Sequence, residues 1–172
     1  MTFTTTLKAG AIGLALLAPL ITSSASRADS SPVVSPLAGT WTLVAADVVH
    51  ADGSRARDYG AAPKGLLLID ATGHYSLQIF KSERPRFAAA DKLAGTDAEY
   101  KAAVLGSSTH YGTVSIDTTA HTLTFKIEAA SFPNWEGAAQ TRNYELKGDE
   151  LSYHVPARPN GDTPISVWRR LN

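Results

Sequence analysis

Six side chains on three neighbouring strand-like segments could do chemistry together: His110 and Tyr111, Lys126 and Glu128, Arg142 and Tyr144. Arg142 brings a planar guanidinium with five donors. Tyr144 brings a phenol two residues on, the spacing that puts both on one face of a strand. Aimed into an apolar cavity, the pair would hold a carboxylate or a polarised carbonyl. Glu128 could pair with Arg142, or act as a base if it were desolvated. A plainer reading competes with this one. Leu123, Phe125 and Ile127 alternate with Thr124, Lys126 and Glu128, which makes the charges solvated cross-strand partners and leaves open which face points inward. Phe132-Pro133-Asn134-Trp135 is either an aromatic lip that presents Trp135 to a ligand or a loop pinned by its aromatics. Arg84 and Arg86, with Phe87, either gate an opening or lie in solvent.

Other chemistries lack their residues. His50, His74, His110, His121 and His154 show no i, i+4 pair or other tight ligand spacing, so no metal is expected. The chain has no Gly-x-Ser-x-Gly and no glycine-rich phosphate loop, so neither a catalytic residue nor a cofactor is assigned.

Short strands must position these residues. Trp41–Val49 is β-branched and apolar. Asp52-Gly53 turns the chain into a polar loop, and Lys64–Asp70 and His74–Lys81 form a hairpin about Ala71-Thr72-Gly73. Ser82–Ser108 has no strand pattern and ends in a helix over Asp97–Leu105, with Thr96 and Glu99 as a capping box and Tyr100, Val104 and Ala103 as an apolar stripe. A connection this long usually covers something. Strands resume at Thr109–Asp117, His121–Glu128, Gln140–Leu146, Leu151–Val155 and Ile165–Leu171. The expectation is an all-β, antiparallel barrel of eight strands with one short helix between strands 3 and 4. Closure would remove exposed sheet edges. Tyr75, Leu77, Leu123, Phe125 and Tyr153 are its inward-facing candidates.

Residues 1–28 read as an export leader: Lys8, an apolar run from Ala9 to Ile21, then small residues at Ser26 and Ala28. The run is too short for a span, which needs about 20 residues. Residues 29–36 are a flexible lead-in, and 37–172 form the barrel domain. The predicted location is periplasmic or secreted, with no membrane insertion after cleavage. Of 16 basic and 16 acidic groups, the leader removes Lys8 and Arg27, leaving a net charge of −2. That balance argues against nucleic-acid binding. With no cysteine, stability must come from a core.

Leu37-Ala38-Gly39-Thr40-Trp41, Pro63-Lys64-Gly65-Leu66-Leu67, Arg84-Pro85-Arg86-Phe87, Tyr111-Gly112-Thr113, Phe132-Pro133-Asn134-Trp135, Arg142-Asn143-Tyr144-Glu145-Leu146 and Trp168-Arg169-Arg170 follow one another along the chain. In this order they resemble the bacterial lipocalin-like domain family of the calycin barrels, across the whole mature chain. The resemblance implies a barrel end closed by Trp41 and an arginine of the last strand, Arg169 or its neighbour Arg170. A barrel of this size can hold one small, mostly apolar molecule, and the residues read above give its expected contacts: Arg142, Tyr144, Tyr111, Tyr75, Phe125 and Trp135. An enzyme of cyclase, isomerase or dehydratase type is the alternative, with Tyr111, Glu128 and Arg142 as acid, base and oxyanion support. A barrel filled by its own side chains is a third possibility.

Overall fold

The computed structural model describes residues 35–171, together with 1, 2 and 4. The chain divides into Met1–Pro32 and Val33–Asn172, and the second unit holds every described element. Most of the leader and of the lead-in falls outside the described residues.

Nine strands run in chain order: β1 (Gly39–Val49), β2 (Arg55–Ala56), β3 (Lys64–Ile69), β4 (His74–Phe80), β5 (Ser107–Asp117), β6 (Thr122–Ala130), β7 (Ala139–Lys147), β8 (Glu150–His154) and β9 (Thr163–Leu171). From β3 to β9 each pairs antiparallel with the next. The cylinder closes where β1 pairs with β3 on one side and with β9 on the other. Eight strands therefore make the barrel. The two-residue β2 lies along the end of β1, with Val48 opposite Ala56. It adds a strand to the expected order, so the helix α1 (Asp97–Leu105) joins β4 to β5 rather than strands 3 and 4.

Period-two alternation fills the inside. Leu123, Phe125 and Ile127 are buried while Lys126 and Glu128 are exposed, so the apolar face of β6 points inward. Trp41, Trp168, Tyr153, Phe125, Leu67, Leu77 and Leu151 are fully enclosed. Such side chains each contribute roughly 1.5–3 kcal/mol on leaving water.

The two ends of the barrel differ because their connections differ. At one end sit the short turns after β3, β5 and β7. Here Trp41 is buried, its indole N–H donates to Leu37 O at 3.0 Å, and a guanidinium lies 4.1 Å from its ring centre. That guanidinium belongs to Arg170, not Arg169. Trp41 stands opposite Arg170 in the β1–β9 register, so the two share a face, and one residue back Arg169 points outward. Arg170 also donates to Ala38 O and Pro36 O at 2.6 and 2.8 Å, so it joins the chain's entry to the last strand.

At the other end four longer connections meet. The largest holds α1, whose capping box forms as read: Glu99 N–H donates to Thr96 Oγ1 at 3.3 Å and Thr96 N–H to Glu99 Oε2 at 2.7 Å. Its apolar stripe does not bury. Val104 and Leu105 are 55% and 62% exposed, and the helix has no buried residue. The connection folds on itself instead: Phe87 meets Tyr100 edge-on at 5.4 Å, and the Tyr100 hydroxyl donates to Lys92 O at 2.7 Å.

Candidate functional site

A cavity of about 430 Å³ opens at the end with the longer connections. Its wall takes Leu77 and Ile79 from β4, Ser108 and His110 from β5, Gln140 and Arg142 from β7, and Ile165 and Ser166 from β9. Trp135 and the segments Asp58–Tyr59 and Val155–Pro156 form its rim. No residue of the α1 connection between Lys81 and Ser107 lines it. The expected lid is therefore not part of this site, because its aromatics are spent on internal packing.

Alternation along β7 explains why Arg142 enters the barrel. Arg142, Tyr144 and Leu146 share one face, and Asn143 and Glu145 the other. Arg142 is 7% exposed. Its guanidinium lies 4.7 Å from the ring centre of Phe125 and 5.0 Å from that of Tyr153, and Nη2 donates to Gln140 Oε1 at 2.8 Å. Its Nε finds no partner, and neither do the buried Trp168 Nε1 and Tyr153 Oη. The Tyr153 hydroxyl sits beside Arg142, Ser166 and Trp168, and burial holds its pKa up, so it keeps its proton while its oxygen faces the N–H groups of Arg142 and Trp168. A desolvated cation–π contact is worth about 2 kcal/mol. Taking a cation out of water costs several, so ring faces alone do not offset this charge.

His110 is buried beside this arginine. Its Nδ1 is 2.8 Å from the Tyr75 hydroxyl, and its ring meets Tyr75, Phe125 and Trp135 edge-on at 5.4, 5.5 and 6.1 Å. Burial first, and then the Arg142 charge, push its pKa down to about 3. The imidazole is neutral at any ordinary pH. Burial likewise raises the Tyr75 phenol, so the pair stays uncharged.

The acids on the wall are otherwise engaged. Asp47 is 7% exposed and accepts from Arg55 Nε at 2.6 Å. Asp58 stands exposed on the rim, as does Arg158. Among the described residues no group of three His, Asp or Glu is placed to hold a metal ion.

The residues singled out from sequence fall into distinct places. Arg142 and Trp135 line the cavity, and Trp135 is held edge-on by Phe132 at 5.4 Å. Tyr75 and Phe125 are not in its lining and lie behind it, packed on His110 and Arg142. Tyr144 is buried near the closed end, its ring 6.0 Å from His121, outside the cavity lining. Tyr111 is 51% exposed and faces away, one step out of phase with His110. Glu128 also faces out. Sequence reasoning missed Gln140, Asp47, Ser166 and the Val155–Pro156 rim. Ser166 had a usable cue in its place two residues before the inward Trp168.

The described residues form a closed antiparallel barrel with a cavity open at one end. The chain belongs to the lipocalin-like domain family, whose profile matches residues 38–171. It is 30% identical over 106 residues to the 4'-hydroxy-3'-methoxypropiophenone carrier protein of Aspergillus oryzae, covering 56% of this chain and 96% of that protein. A lipocalin-like protein of Bacteroides uniformis superposes with a TM-score of 0.42 at 15% identity, over 78% of this chain and 98% of that one. An uncharacterized protein of Bacteroides eggerthii gives 0.40 at 13%, with the same coverage. No described helix is long and apolar enough to cross a membrane.

Proposed function

We propose that the protein is an exported carrier that binds one small, mostly apolar molecule in the barrel without turning it over. The cavity carries this reading. Its volume lies in the range of ligand sites, roughly 300–1,000 Å³, and its wall is mainly apolar with a few convergent polar groups. Desolvation would supply most of the affinity, at about 25 cal/mol per Å² of apolar area. The carrier from Aspergillus is named for a compact aromatic ketone, which supports a ligand of one ring and a short substituent. Export rests on the leader at residues 1–28. Catalysis by Tyr111, Glu128 and Arg142 has less support, because the first two face away from the third.

Native mass spectrometry of protein recovered from the exported fraction, followed by denaturing extraction, tests both parts. A chain starting at Asp29 with one small aromatic compound per barrel is the expected result. An uncleaved chain would overturn export. Protein that takes up no small aromatic compound at millimolar concentration would overturn the carrier reading.

A further inference from the structure

The cavity holds an imbalance that its own residues do not resolve. Arg142 is the buried cation there, and its single side-chain partner, Gln140, is neutral. None of the ion pairs among the described residues includes Arg142. Asp47 is taken by Arg55, and Asp58 and Arg158 offset each other on the rim in opposite signs. His110 adds no charge, so the interior is left with one positive charge. Hydrogen bonding leans the same way. Arg142 Nε is a buried donor without an acceptor on the one residue of the wall that carries an uncompensated charge. A guest that balances this wall must offer an acceptor and carry one negative charge.

We propose that the ligand is an organic acid with one ionised carboxylate on a compact apolar body, its charge held at Arg142. This rests on the carrier reading and names the ligand class within it. A carboxylate presents two coplanar oxygens to the guanidinium fork, the pairing that gives such contacts both strength and orientation. A neutral guest would leave the guanidinium uncompensated, and a dianion would bring a second buried charge without a partner. The apolar body meets Leu77, Ile79, Ile165 and Trp135 above the charge.

The test uses two probes that differ in charge and little in shape, 4-phenylbutyrate and 4-phenylbutanamide. Each displaces the neutral fluorophore N-phenyl-1-naphthylamine at pH 7.5. Hydrogen bonds to charged groups are worth enough for the acid to bind about ten- to a hundredfold better than the amide. Arg142→Met should bring that ratio close to one. Gln140→Glu keeps the guanidinium but sets a carboxylate beside it, and should bring the ratio down as well, so the result does not depend on how the first variant folds. If the fluorophore binds but acid and amide compete equally in the wild type, the acid ligand is overturned and the carrier stands. The same holds if both variants keep the preference. If neither the fluorophore nor either probe binds, the carrier reading falls and takes this inference with it.

Discussion

The burial of His110 has a thermodynamic consequence. Its folded pKa lies near 3, against 6.5 for an unperturbed imidazole. Between those values the unfolded chain binds a proton that the folded chain refuses. Stability is therefore complete above pH 6.5 and falls as the pH drops, by up to about 1.4 kcal/mol per pH unit. His50 works in the opposite sense. Its pKa is raised by the hydrogen bond to Asp162, so its contribution is present below pH 6.5 and fades as the pH rises through the folded value. That pair is partly exposed, and solvent screening keeps its contribution small. Urea midpoints measured from pH 7.5 to 4.5 should decline in the wild type and flatten in His110→Phe, which also leaves the Tyr75 hydroxyl without its partner. Parallel slopes in the two proteins would contradict this. Period two alone places His110 on the face of Val114 and Tyr111 on the other, so their orientations were legible in the sequence. Tyr111, expected among the ligand contacts, is turned out by that same alternation. The bond from Tyr75 to His110 was not legible, because it joins side chains two rungs apart on paired strands.

The helix α1 tests how far one element can be uncoupled from the barrel. Its start is fixed by the Thr96–Glu99 box, and its sides are wet. Thr96→Ala should remove about 1 kcal/mol from the helix and almost nothing from the barrel. Hydrogen exchange should show faster exchange over Asp97–Leu105, with unchanged protection in Leu123–Ile127. Loss of protection in both would mean that the helix supports the sheet. The capping residues were readable because a cap is local chemistry. The function of the connection was not, since Tyr100 turns back onto Phe87 and Lys92 rather than over the cavity, a choice made by tertiary packing.

Across the whole molecule, closure depends on the pairing of β1 with β9. Arg170→Ala removes two hydrogen bonds from a charged donor and a cation–π contact to Trp41, and should cost about 2–3 kcal/mol in urea unfolding. Arg169→Ala, on the outer face, should stay within about 0.5 kcal/mol. Equal effects would remove the distinction between the neighbours. The sequence indicated an arginine of the last strand, but only the register of Trp41 with Arg170 decides between two adjacent candidates. Eight strands were legible from alternation and turns. The brief β2 was not, since two residues are too few to show a period.

That same seam brings the two ends of the barrel together, with Thr40 opposite Leu171. Every other pairing in the cylinder joins strands that follow one another along the chain, the two-residue β2 aside. Chain order thus enters the architecture at one place only. A short linker joining residue 171 to residue 37, with new ends cut at the exposed Gly148-Asp149 turn, would turn the seam into an ordinary hairpin and make β7 and β8 the late-closing pair. Circular permutants of this kind would carry the same cavity while moving the long-range step of folding from one side of the barrel to another.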